Sequence, residues 1–150
     1  MRVSKTKLLW LPLLAVAIIL SACAKPLYAD GTYTHQSTED SDGNYGVVVL
    51  TLKDQKIMDV DYKSYNHDGT LKDENYGKNK DKVIANKEFY QKAQFALSKV
   101  KDYQESLKNT GDIDMVDKIS GATIIYDQFT ECVEAILDEA ATKYEESLKK

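Results

Sequence analysis

The chain has 150 residues, 43% of them hydrophobic and 29% charged; this suits one globular domain with a core of its own and argues against a disordered chain. Its formal net charge is −4, and residues 1–22 hold Arg2, Lys5 and Lys7 without an acid, so the remainder carries about −7. An acidic domain repels phosphate backbones and anionic lipid heads, so nucleic acid is not an expected partner and a basic patch is not an expected membrane anchor.

Residues 1–7 are basic, and residues 8–20 form an almost unbroken apolar run that ends at Ser21-Ala22-Cys23. The run is shorter than the roughly 20 residues a helix needs to cross a bilayer. Basic head, short apolar run and small exit residues together describe a secretory signal peptide over residues 1–22. Leu20-Ser21-Ala22-Cys23 also resembles a bacterial lipobox. That resemblance implies that Cys23 is acylated as the first residue of the mature chain, its thiol taking the lipid while small Ser21 and Ala22 admit the peptidase. A lipidated Cys23 holds a domain at the extracytoplasmic face of the cell membrane without a spanning helix. Residues 23–29 then form a tether and residues 30–150 the domain. Pro26 is the last proline, so the rest of the chain is free to form regular elements with short connections.

Residues 31–37 read as a first strand, with Tyr33 among β-favouring threonines. A turn cluster comes next, at residues 40–44. Residues 45–53 are the strongest strand pattern: Val47, Val49 and Thr51 alternate with Val48, Leu50 and Leu52. Apolar residues on both faces predict an inner strand. In residues 57–66, Met58, Val60 and Tyr62 alternate with Asp59, Asp61 and Lys63, the pattern of a half-exposed strand. Asp54-Gln55 closes the hairpin between the two, so the strands form an antiparallel meander.

Residues 67–82 are polar and read as a loop. From residue 85 the period becomes helical, with Phe89, Ala93, Ala96, Leu97, Val100, Tyr103 and Leu107 on one face. Asn109-Thr110-Gly111 stops that helix. An acidic connection comes after it, with Ile113, Met115 and Val116 as expected anchors to the core. A last helix starts near Thr123 and carries Phe129, Val133, Ile136, Leu137, Ala140, Tyr144 and Leu148 as its stripe. Strands first and helices after define an α+β domain: an antiparallel meander followed by two amphipathic helices.

The chemistry of the chain concentrates at Asp117-Lys118-Ile119-Ser120-Gly121-Ala122-Thr123. Two small residues between two hydroxyl residues, ahead of a helix, make a hydroxyl that nothing bulky guards. The first turn of a helix adds unpaired N–H groups and the positive end of the dipole, which suit a phosphate. An N-cap made by Ser120 or Thr123 explains the hydroxyls as well, but neither the small pair nor Asp117. With average residue frequencies, such a five-position match arises by chance in on the order of one chain in a thousand.

These positions match the pattern Asp-x-x-(Ser/Thr)-Gly-Ala-(Thr/Ser) at which bacterial flavin transferases attach FMN. Together with the strand pair of residues 45–66 and the loop containing Asn75-Tyr76-Gly77-Lys78, they resemble the small FMN-binding-domain lipoproteins of Gram-positive bacteria. The resemblance implies FMN esterified to Thr123, with Ser120, Gly121 and Ala122 as the loop the transferase recognises and Asp117 as the acidic position of the motif. It implies a carrier rather than an enzyme: an electron relay between a membrane redox donor and an extracytoplasmic acceptor, modified by a separate flavin transferase. Tyr126, one turn beyond Thr123 on the same helix face, is the best-placed flavin neighbour. The flavin subunits of Rnf and sodium-pumping quinone reductase complexes commonly follow the acceptor with Thr-Ser; Ile124-Ile125-Tyr126 sets this chain apart from them.

Other constellations fall away. Asp40, Asp42 and Asn44 suggest a calcium loop, but Tyr45 stands at its glycine position and Thr51 at its glutamate position. His35 and His67 lack ligand spacing, so no metal site is expected. Cys132 borders the apolar stripe of the last helix and reads as a small buried hydrophobe. Two alternative functions keep the same fold: a non-redox surface lipoprotein that binds a ligand or protein, and a domain that binds FMN non-covalently.

Overall fold

Alternating β-formers make β2 (Tyr45–Lys53) the centre of a sheet ordered β1-β2-β3, antiparallel throughout, between β1 (Gly31–Gln36) and β3 (Lys56–Tyr65). The structure, a computed structural model, describes residues 26–150; the signal peptide and Cys23 expected from the sequence lie outside them. On one face of β2, Gly46, Val48, Leu50 and Leu52 are buried, while Val47, Val49 and Thr51 opposite are only half covered. The inner strand and the meander are therefore as the sequence predicts.

The hairpin between β2 and β3 turns on Asp54 and Gln55, both left-handed at φ 50° and 64°. Two positive angles match the twist of the flanking strands, but non-glycine residues resist them. Hydrogen bonds offset that cost. The Asp54 N–H donates to Asp30 Oδ1 at 2.9 Å. The Gln55 amide straddles Tyr28, accepting its N–H and donating to its carbonyl, each at 2.8 Å.

One expectation for β3 is corrected. The register passes from Thr51↔Asp59 to Leu52↔Ile57, which leaves Met58 as the extra residue of a β-bulge. The bulge turns Ile57 into the core and leaves Met58 outside, 49% exposed, where simple alternation places it inward with Val60 and Tyr62.

The α+β order also holds, but the first of the two expected helices divides at Lys99 into α1 (Lys87–Ser98) and α2 (Val100–Thr110). The apolar stripe continues across the break, so α1 needs another partner. Its inner side lies on the loop of residues 67–82: Gln94 donates to the carbonyls of Asp73 and Tyr76, Tyr90 to that of Glu74, and Phe89 meets Tyr76 edge-on. No residue of α1 is buried, whereas Tyr103 and Leu107 of α2 are. Gln104 fixes α2 to β3, donating to Val60 O and accepting from the Tyr62 N–H. A 3-10 turn at Ile113–Met115 comes next. Ile113 and Val116 anchor it, while Met115, expected inside, is 65% exposed because a three-residue turn has only one inner side.

The last helix, α3 (Thr123–Ser147), lies along β2 and β1. Phe129, Val133, Ile136 and Ala140 are fully buried, and the stripe ends there, with Tyr144 half covered and Leu148 exposed. Polar contacts fix its direction. Gln128 donates to Asn44 O and accepts from the Tyr62 hydroxyl, Cys132 Sγ lies 3.7 Å from Gly46 O, and Ala140 O accepts the Ala29 N–H. So α3 starts at the Asn44 end of the sheet and reaches its hairpin end by Ala140. Tyr62 crosses beneath so closely that a Cβ on Gly46 would stand 2.5 Å from its ring.

Candidate functional site

The site is the junction where the connection meets α3. Residues 119–122 form a turn closed by the Ala122 N–H donating to Ile119 O at 3.0 Å. Gly121 stands in it at φ 86°, a conformation that side-chain-bearing residues rarely adopt. A Cβ there would also approach the Phe95 ring to 3.1 Å. Backbone and ring together require glycine.

Tyr103 supports this turn from within. Its hydroxyl accepts the Ile119 N–H at 3.2 Å and donates to Ala122 O at 3.4 Å. The residue is 1% exposed, stacked on Phe129 with centroids 6.1 Å apart and edge-on to Tyr126 at 5.5 Å. Burial raises the pKa of the phenol above its ordinary value, so the proton it donates stays in place at neutral pH.

Thr123 opens α3, with Ala122 as its N-cap and no side-chain cap. The first N–H of the ladder belongs to Tyr126, which donates to Ala122 O at 3.0 Å. The N–H groups of Thr123, Ile124 and Ile125 precede it and face no acceptor within the helix. Neither Ser120 nor Thr123 is used for capping, and both are exposed. Beside them, Phe95 is 44% and Ile124 59% exposed.

The sequence-predicted residues are thus partly assembled. Ser120, Gly121, Ala122 and Thr123 form one turn-to-helix junction, with Ala122 as its buried foot. Tyr126 lies one turn in, half-buried against Tyr103, with the Lys118 ammonium 5.3 Å from its ring centroid. Asp117 is exposed at the entrance. Its neighbour Lys118 pairs with Asp127 at 2.6 Å, both about half exposed, a geometry worth about 0–1 kcal/mol.

Sequence reasoning missed Phe95 and Lys118 as parts of the site, and it placed Tyr103 only in the core stripe. For Phe95 a signal existed: it is a large apolar residue that fits no position of the stripe. Nothing in the sequence reveals the second role of the Tyr103 hydroxyl. Elsewhere, a cleft of about 770 Å³ opens at the hairpin end beside Leu27, Met58, Lys108 and Ile113. Another of about 400 Å³ lies between Leu71, Tyr76, Lys78 and Phe89. Neither includes Thr123. Cys132 is buried and its pKa is pushed up to about 12 by that burial, so it offers no thiolate near neutral pH. No group of metal-ligating side chains occurs among the described residues.

An exposed hydroxyl thus stands at an uncapped helix start in a small α+β domain. The chain belongs to the FMN-binding domain family, which it matches over residues 43–138. It is a flavin-binding protein and FMN is its cofactor. The matched span takes in β2, β3, the turn and most of α3. In fold the chain is similar to the CPE2226 protein from Clostridium perfringens, known from a crystal structure, with a TM-score of 0.62. The two are 21% identical, and the likeness covers 78% of this chain and 92% of that one. No curated protein matches.

The junction fits the cofactor. A phosphate carried on Thr123 would lie at the positive end of α3, beside N–H groups that have no helical acceptor. The missing Cβ of Gly121 keeps the approach open, and Phe95 and Ile124 offer apolar surface to a flavin ring.

Proposed function

We propose that this flavin-binding protein is an extracytoplasmic electron carrier, lipid-anchored through Cys23, with FMN esterified to Thr123 by a separate flavin transferase. One observation carries the attachment residue: Thr123 is exposed at the first position of a helix that no side chain caps. Its hydroxyl is left open to an incoming enzyme.

In this reading the roles divide by position. Thr123 Oγ1 is a passive acceptor, and Ser120, Gly121 and Ala122 form the turn that the transferase grips. The helix start favours the negative charge that a phosphodiester keeps. Tyr103 fixes the turn by holding Ile119 and Ala122 together. Phe95, Ile124 and Tyr126 supply the apolar and aromatic surroundings. Bound FMN supplies the electron chemistry, while the protein supplies placement and electrostatics. Lipid on Cys23 keeps such a carrier at the membrane, and an ester to Thr123 keeps its cofactor from diffusing away outside the cell.

The test is covalency. Protein co-expressed with a flavin transferase is denatured and run on a gel, and flavin fluorescence is read in the protein band. Wild type is expected to fluoresce and Thr123→Ala to be dark, with the fold unchanged by circular dichroism. A dark wild-type band sinks the covalent reading; if native protein is still yellow, FMN is held non-covalently. A fluorescent Thr123→Ala band moves the ester to another residue.

A further inference from the structure

We infer that the lipid anchor and the flavin occupy opposite ends of the domain, so that the flavin meets redox proteins in the aqueous phase rather than quinols in the bilayer. This rests on the proposed lipidation of Cys23 and attachment at Thr123.

The geometry begins at Tyr28, which among the described residues ties the start of the chain to the domain. Gln55 binds its N–H and its carbonyl, both at 2.8 Å, at the tip of the β2–β3 hairpin. The next residue, Ala29, donates to Ala140 O at 3.0 Å and accepts the Tyr33 hydroxyl at 2.9 Å. The chain therefore joins the body at the hairpin end. From Cys23 to Tyr28 the covalent chain spans at most about 18 Å.

Thr123 lies at the other end. Between it and Ala140, α3 runs 17 residues, about 25 Å at a helix's rise. Contacts along the helix keep that direction: Gln128 meets Asn44, Cys132 meets Gly46 and Ala140 meets Ala29. A headgroup layer is only about 5–7 Å deep on each side, so an upright domain carries its flavin well clear of lipid.

Charge opposes lying down on the helix side. Glu134 and Asp138 are exposed along α3, and anionic headgroups repel them. The surroundings of the attachment end differ. There, exposed Phe95 and Ile124 offer apolar surface beside the turn.

The test uses lipidated, flavin-loaded protein on vesicles whose headgroups carry a nitroxide quencher, with a fluorophore on Met58→Cys at the hairpin end. Buried Cys132 does not compete for the label. The Met58→Cys label is expected to lose most of its emission while the flavin keeps nearly all of its own. A second label on Ile124→Cys reports the far end independently of flavin loading and is expected to stay bright. Flavin or Ile124→Cys emission quenched as strongly as the hairpin label overturns the inference while leaving anchor and ester intact. Failure of the protein to float with vesicles removes the anchor, and this inference with it.

Discussion

Between Phe129 and Ala140, α3 is locked onto the sheet, with Phe129, Cys132, Val133, Ile136 and Ala140 shielded from solvent, whereas its first turn leaves Thr123 and Ile124 in the open. The same helix thus serves two purposes. Its middle stabilises the domain through apolar burial, and its start has no cap and holds surface that a second protein can reach. The link between the two is Tyr103, which stacks on Phe129 on one side and hydrogen-bonds the turn of residues 119–122 on the other. Stability and the proposed flavin attachment are therefore separable, and substitutions should affect them in different proportions.

The largest effect on stability belongs to the locked stretch. Phe129→Ala should cost about 3–5 kcal/mol in urea unfolding, because it leaves a cavity beneath Tyr62 and Tyr103. A loss no larger than that of a surface change would mean that α3 is not the keystone of the core. Gly121→Ala should cost less, about 1–2 kcal/mol for a side chain forced to positive φ, and the methyl must also displace Phe95. Its effect on flavin attachment, read as in-gel fluorescence against time, should exceed its effect on unfolding. Attachment at the wild-type rate would show that the transferase does not read the turn. Tyr103→Phe sharpens the contrast further. It keeps the ring packing and removes only the two hydrogen bonds, for about 1 kcal/mol. Faster amide exchange at Ile119 and slower flavin attachment are expected, while the amides of β2 keep their protection. Exchange that quickens across the whole sheet instead would place Tyr103 among the core residues alone. Thr123→Ala closes the series, with stability expected within about 0.5 kcal/mol of wild type.

Local pattern made much of the fold legible. β2 follows from its alternating valines and leucines, the meander from the spacing of turn residues, and the start of α3 from Thr123 and the stripe after it. The misses come from events that periodicity does not encode. A bulge at Met58 shifts the face of one residue without changing composition. The division at Lys99 leaves the apolar period intact, so one helix and two read alike. Met115 belongs to a turn too short for a period. At the site, the motif residues are contiguous and stand out together, but Phe95 and Tyr103 reach the turn from a helix pair more than 15 residues upstream. Their contribution depends on tertiary packing, which no single sequence window contains.

The docking of Tyr28 and Ala29 has a mechanical consequence. Ala29 is bonded to Ala140, 111 positions along the chain, and Tyr28 to the Asp54–Gln55 turn. A pull applied through Pro26 is taken up first by the long helix and the hairpin tip together. The β1–β2 ladder, whose bonds would otherwise unzip one at a time from Gly31, carries load only after those clamps have yielded. The domain is thus tied off like a rope around two posts, and a pull entering at Pro26 meets the Tyr28–Gln55 and Ala29–Ala140 bonds before the first rung of the sheet.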